Sequence, residues 1–158
     1  MSVQVVVAVL NIFVSGSGTA YGEHFAKYGE RRGVDPLLVA AVAYHESLLR
    51  PSKVSRTNDY GLMQLHVGDN THARYVGREK LLFEPGRNIR LGVRMLAWWK
   101  AHHQRRCGSE HHWLLHYNQG SRVAKRGWRS RYADRVLKIY HKLLKIKSRV
   151  LRNRDVTS

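Results

Sequence analysis

Cysteine is almost absent from this chain: Cys107 stands alone among 158 residues. One thiol closes no internal disulfide, and four-cysteine zinc frameworks are excluded with it. Acidic side chains are also scarce. There are 11 against 28 Lys and Arg, a formal charge of +17 that suits a polyanionic partner. Proline occurs three times, at Pro36, Pro51 and Pro85, each at the edge of a helical pattern. No apolar run reaches the roughly 20 residues a membrane-spanning helix needs. The longest, Val3 to Val14, has 12 residues and is interrupted by Gln4 and Asn11. Nothing alternates with period two for long enough to promise a sheet, and there is no internal repeat or low-complexity segment.

What remains is a chain of one-domain length with 43% hydrophobic residues, enough to bury a core and to argue against disorder despite the charge. The charge is unevenly spread. Up to Glu79 there are 8 basic and 7 acidic residues; after it there are 20 and 4. After Val14 the small residues Ser15-Gly16-Ser17-Gly18-Thr19-Ala20 suit a signal-peptidase site, although a basic leader is missing. Residues 1–20 therefore read as a signal peptide or as a buried first segment, with the signal peptide preferred.

Gly33-Val34-Asp35-Pro36 ends one short segment, Tyr21 to Arg32, and opens a helix with Asp35 as N-cap and Pro36 at its first position. Apolar spacing carries that helix to about Leu49, before Pro51. Asn88 to Gln104 has the same periodicity and reads as the central core helix. His111 to Tyr117 reads as a shorter helix, Asn118 to Ser121 as a turn, and Tyr132 to about Leu151 as a last helix. The expected fold class is mainly α, in one domain.

Glu46 is the one acidic residue of the apolar helix that opens at Pro36, a setting that favours a protonated carboxyl and hence a general acid. Glu46-Ser47 is followed by Pro51, by Ser55, by Gly61-Leu62-Met63-Gln64, and much later by Tyr117-Asn118-Gln119-Gly120. Further matches are Gly33-Val34-Asp35-Pro36, then Pro85 with Asn88-Ile89-Arg90-Leu91-Gly92 and Leu96, then Arg131-Tyr132 with Val136. Each motif is short, but their order and spacing resemble those of the lytic transglycosylases of the soluble-lytic, goose-type-lysozyme-like family. The resemblance covers about Tyr28 to Tyr140.

The resemblance implies a lysozyme-like fold with a cleft around the catalytic helix, comprising residues 21–140, followed by a basic helix and tail over 141–158. It implies cleavage of the β-1,4 bond between N-acetylmuramic acid and N-acetylglucosamine in peptidoglycan. Glu46 would protonate the glycosidic oxygen and then, as a base, activate the muramoyl C6 hydroxyl that closes a 1,6-anhydro ring. Ordinary glycosidases differ in using two carboxylates. Ser55 would lie beside that carboxyl or the substrate N-acetyl group, Gln64 on the cleft floor, and Tyr117 and Asn118 on the opposite wall, with the Tyr117 hydroxyl, and secondarily that of Tyr132, in reach of Glu46 or the sugar. Ser47 is expected to close a local hydrogen bond.

Two departures from the family pattern, His116 before Tyr117 and His66-Val67 after the glutamine, are expected at the cleft. Asp59 keeps a hydrolase outcome open, as in goose-type lysozymes, although a turn cap is the simpler role. His102, His103, Cys107, His111, His112 and His116 crowd one region, but no spacing fits a standard finger, so no metal or cofactor is expected. From 135 to 154 there are 8 basic residues and no acid, interleaved with apolar ones. Such a helix packs one face and offers the other to peptidoglycan carboxylates, teichoic phosphates or an anionic membrane surface. The expected partner is the glycan strand, the expected state a monomer, and the expected location the periplasm or cell envelope, with a phage-encoded wall enzyme as alternative. A non-enzymatic basic module on an anionic polymer is the rival; it leaves the motif series unexplained, and nucleic acid is disfavoured with it. On this reading a chemical half is joined to a docking half.

Overall fold

The apolar residues that follow Gly33 form helix α3, Pro36–Ser47, and every residue from Pro36 to Ala43 is buried. In the computed structural model, which describes residues 1–14, 19–68, 72–103, 113–121 and 130–155, this helix is the centre of the molecule. Asp35 caps it: Oδ1 accepts from the Leu37 amide at 2.8 Å, and Oδ2 accepts from the Tyr140 hydroxyl at 3.1 Å. A helix apolar on all sides has to be surrounded. Helices α2 (Thr19–Arg31) and α6 (Arg131–Asp155) pack on α3 and α1 (Val3–Phe13) lies against both of them, while α4 (Pro85–His103) packs on α2 and on α5 (Leu114–Gln119).

The central helix is thus α3, not the 88–104 segment expected for that place. Helix α4 buries Ile89, Leu91, Val93 and Leu96, but Arg90, Arg94 and Trp98 keep one face in solvent. A guanidinium every third or fourth residue prevents burial on all sides. Helix α5 continues through Asn118 and Gln119, expected as a turn, and stops at Gly120, whose φ of +62° lies in the left-handed region. Helix α6 passes residue 140 without a break; Tyr132, Ala133, Val136, Tyr140 and Leu143 face the core.

Residues 3–13, weighed above as signal peptide or buried segment, form α1, and Val5, Val6, Val9 and Leu10 are buried against the rest. Their removal would uncover the faces of α2 and α6 that they cover. No described helix is long and apolar enough to cross a membrane.

The one sheet among the described residues is a two-residue antiparallel ladder of β1 (Asp59–Tyr60) and β2 (Leu65–His66), with Asp59 opposite His66. Such a ladder is too short to leave an alternating pattern. Its connection, Gly61-Leu62-Met63-Gln64, lies on α4, where the buried Asn88 side chain holds it. Asn88 Nδ2 donates to the carbonyls of Tyr60 and Leu82, both at 2.8 Å, and Oδ1 accepts from the Met63 amide at 2.8 Å. Gly61 has φ +79°, and a Cβ there would collide with Asn88 Nδ2 and the Leu82 carbonyl; one at Gly92 would collide with the Met63 side chain. Both glycines of these motifs exist for close approach.

Asn88→Ala should strand two buried carbonyls and one amide. Urea unfolding is expected to show a loss of about 2–4 kcal/mol, with Asn88→Asp costing less than Ala only where the acid is protonated.

Candidate active site

Glu46 lies in the last turn of α3, which ends where Leu48 and Leu49 adopt left-handed φ values of 56° and 58°. The carbonyls freed by this ending find cationic partners: Lys53 Nζ donates to the Glu46 carbonyl, and Arg50 Nε donates to that of Ser47 at 3.2 Å. Ser47 is buried and donates to the Ala43 carbonyl at 3.0 Å. The Glu46 carboxyl itself accepts from the Tyr132 hydroxyl at 2.7 Å, a contact from the start of α6 to the end of α3.

Burial raises the Glu46 pKa from an ordinary 4.5 to about 7. The Tyr132 hydrogen bond and the Lys53 charge oppose the rise, and the charge of Asp59 adds to it. Burial and the nearby Glu46 hold Tyr132 well above the usual phenol range, so it stays a donor. His45, edge-to-face with the Tyr132 ring at 5.1 Å, is lowered by burial, then by Arg135 and Lys53, and adds no charge near neutral pH.

The carboxyl opens into a cavity of about 450 Å³ lined by Glu46, Thr57, Asp59, Gln64, His66, Met95, Tyr117 and Asn118. The structure brings four of the expected residues, Glu46, Gln64, Tyr117 and Asn118, to this wall. Gln64 has φ +47°, unusual for a residue with a side chain, and its Nε2 donates to the carbonyls of Lys53 (3.1 Å) and Gly61 (2.9 Å). Tyr117 does not donate to Glu46: its hydroxyl goes to the Met63 carbonyl at 2.8 Å and its ring forms the wall. Asn118 is exposed at the rim. Tyr132 reaches the cavity through its bond to Glu46.

Ser55, expected beside the carboxyl or the substrate N-acetyl group, makes its hydrogen bonds within the loop that precedes β1. Its hydroxyl donates to Asp59 Oδ2 at 2.6 Å and accepts from the amides of Thr57 and Asp59, so it builds the turn before β1. Asp59 binds that turn together, the simpler role expected of it, and also lines the cavity. Its Oδ2 also accepts from Thr57 Oγ1 at 2.6 Å, and Oδ1 lies 2.9 Å from His66 Nδ1. His66 lines the cleft as expected. His116 does not: it is buried, stacks on Trp99 and His103, and places Nδ1 3.0 Å from the Gly120 carbonyl. Ring stacking on α4 thus keeps that side chain in the interior.

Of the histidine-rich region, Cys107, His111 and His112 lie outside the described residues, among which no three His, Cys, Asp or Glu side chains are grouped as metal ligands. Sequence reasoning missed Lys53, Thr57, Met95 and His45 as members of the site. Met95 looks like any apolar residue of α4, and Lys53 and Thr57 sit in a polar loop without a motif of their own. His45 adjoins Glu46 and was visible only as its neighbour.

A family model described as the transglycosylase SLT domain matches residues 23–139. The membrane-bound lytic murein transglycosylase F of Pseudomonas fluorescens (strain Pf0-1) is 39% identical over 80 residues, which are 51% of this chain and 16% of that protein. A peptidoglycan-binding-like protein of Escherichia coli O157:H7 is 27% identical over 153 residues, 89% of each chain. The chain therefore spans a small part of the first relative's length and most of the second's. With the matched stretch running from α2 into α6 and enclosing Glu46, the hairpin floor, Tyr117 and Tyr132, the chain belongs to the transglycosylase SLT domain family.

Proposed function

We propose that this protein is a peptidoglycan lytic transglycosylase that cleaves the β-1,4 bond between N-acetylmuramic acid and N-acetylglucosamine, with Glu46 as acid and then base. The observation that carries the proposal is the cavity-lining Glu46 carboxyl, held near a pKa of about 7 and hydrogen-bonded by Tyr132. A group poised there donates and recovers a proton at neutral pH. Its proton goes to the glycosidic oxygen, and the C1–O4 bond breaks to free the N-acetylglucosamine 4-hydroxyl. The muramoyl C6 oxygen then bonds to C1 while its proton returns to Glu46. No water is consumed, and the product ends in a 1,6-anhydro ring.

Tyr132 fixes the carboxyl and stabilises its anionic stage, and Lys53 adds positive potential at that moment. Hydrolysis is the second reading, because Asp59 shares the cavity wall and goose-type lysozymes position water with acids near this loop. The engagement of Asp59 with Ser55, Thr57 and His66 favours the first: few lone pairs remain to orient a water. The name of the Pseudomonas relative, a membrane-bound lytic murein transglycosylase, supports the substrate and an envelope location. The cationic face of α6, with 8 basic residues from 135 to 154, suits adhesion to anionic envelope polymers.

Mass spectrometry of fragments released from purified sacculi is expected to find anhydro-muramoyl ends; reducing ends would assign a hydrolase, and no release by folded protein would overturn both. Glu46→Gln should lower cleavage by about 100-fold or more. Because the acid form starts the reaction, kcat/KM is expected to fall as pH rises through about 7. Tyr132→Phe removes a bond that lowers the Glu46 pKa, so its alkaline limb should move to higher pH as overall activity drops.

The same shift makes a stability prediction of definite sign. The native state binds the Glu46 proton more tightly than the unfolded chain, so this contribution is full below 4.5 and is lost as pH rises through about 7. Denaturant melts of Glu46→Gln and the parent should agree near pH 4, whereas at pH 8 the variant should be more stable by up to about 3 kcal/mol.

A further inference from the structure

Outside the catalytic cavity, the described residues hold a concentration of unneutralised arginine on one side of α4. Arg74, Arg78, Arg87 and Arg90 line a cavity of about 350 Å³ together with Tyr75 and Leu81. Two of the arginines come from the stretch around the first 3-10 turn (Ala73–Tyr75), and two from the first turns of α4. Among the described residues, the only carboxylate within ion-pair distance of any of them is Glu84, 3.9 Å from Arg87 Nε. Glu84 already caps α4: Oε1 accepts from the Gly86 amide at 2.8 Å and Oε2 from the Arg87 amide at 2.6 Å. Arg87 Nε is shielded from solvent and has no hydrogen-bond partner.

This cluster connects to the catalytic cavity through a second one. A cavity of about 450 Å³ is lined by His72, Arg94, Met95, Trp98, Trp99 and Ser121, and Met95 belongs to its wall and to that of the Glu46 cavity. Arg87, Arg90 and Arg94 follow one another at helical spacing along α4. His72, buried in this wall, is lowered chiefly by burial, and the charges of Arg94 and Arg74 lower it further. The rings of His72, in the wall of this second cavity, and of Tyr75, in the wall of the arginine pocket, lie 6.3 Å apart, and the Arg74 guanidinium sits 5.1 Å from the centre of the Tyr75 ring. A cationic track thus starts beside the catalytic cavity and ends in the arginine pocket.

We propose that this track binds the carboxylates of the stem peptides carried by the glycan strand being cleaved, with the arginine pocket as its anchoring site. The proposal rests on the peptidoglycan reading above. Guanidinium groups pair with carboxylates through paired N–H donors, and four of them on one concave surface offer several such forks. Continuity with the cleft selects the occupant. A strand threaded past Glu46 carries its peptide substituents outward along the cleft wall, whereas a nucleic acid has no part that enters the cleft and a polymer attached through the muramoyl C6 oxygen would block the oxygen that closes the anhydro ring.

The test compares two substrates made from the same sacculi: glycan strands with stem peptides intact and strands from which an amidase has removed them. The exposed arginines are replaced together, Arg74→Gln, Arg78→Gln and Arg90→Gln, leaving Arg87 with Glu84; an unchanged thermal melt verifies folding. The parent is expected to show a lower KM on peptide-bearing strands. The triple variant should lose that preference, with KM on those strands rising about tenfold, kcat within about twofold, and no change on bare strands. Equal KM values for the parent on both substrates, or a variant that weakens both alike, would overturn the proposal. So would a variant that loses low-salt binding to DNA while its KM values stay fixed, since the patch would then be a general polyanion surface.

Absence of anhydro ends from either substrate would instead count against the functional reading. The track is then judged by equilibrium sedimentation of Glu46→Gln protein with the two strand types. Tighter binding to peptide-bearing strands, abolished by the three substitutions, supports it; equal binding refutes it.

Discussion

The Asn88 carboxamide satisfies three backbone groups of the segment between β1 and α4, and the geometry of the cleft follows from that contact. It holds the Met63 amide, and Met63 in turn offers its carbonyl to the Tyr117 hydroxyl, so α5 is located against the same loop. Gln64, next along, returns its amide to Lys53 and Gly61, and Lys53 reaches the end of α3 at the Glu46 carbonyl. One buried side chain on α4 thereby links the floor, the far wall and the helix that carries the acid. Neutral groups perform this task without burying a charge, and every hydrogen-bonding atom that is used has a partner.

The electrostatics of Glu46 follow from a local contest. A chain with 28 Lys and Arg against 11 acids would be expected to pull a carboxyl pKa down. Burial prevails because solvent and salt screen charges beyond about 8–10 Å, so most of the cations act weakly on this site. Lys53 and the Tyr132 hydroxyl are the groups close enough to counteract desolvation, and they leave the carboxyl near neutrality. His45 is held neutral by the same burial, which keeps a third charge away from the acid.

Helix positions were legible wherever apolar spacing or a cap determined them: Asp35-Pro36 announced α3, and the acid within it was conspicuous because its neighbours were apolar. The rank of the helices was not. Both α3 and α4 carry apolar periodicity, and only the absence of charge from Pro36 to Ala43 distinguishes the enclosed helix from the half-exposed one. At the site, Glu46 stood out by its charge, but the sequence did not say which tyrosine hydroxyl reaches it: Tyr117, expected first, donates to the Met63 carbonyl, and Tyr132 donates to the carboxyl. For Ser55 the sequence left the role open, because a serine hydroxyl serves a turn as readily as a ligand, and its bond to Asp59 shows the turn. His116 was misplaced because one histidine is compatible with a cleft wall and with an aromatic stack, and Trp99 decides between them.

The uneven charge along the chain acquires a different meaning once the chain is folded. Read linearly, a near-neutral half with Glu46 precedes a strongly basic half, which invites a division into chemistry and docking. The fold interleaves them. Tyr132, from the basic half, donates the hydrogen bond that fixes the acid, and Met95 and Tyr117 supply walls of its cavity. Conversely, Arg74 and Arg78 of the neutral half join Arg87 and Arg90 of the basic half in one pocket. Cationic surface and the Glu46 cavity are therefore adjacent, joined through Met95 and Arg94 on α4. The charge thus lies beside the Glu46 cavity as well as along the outer face of α6.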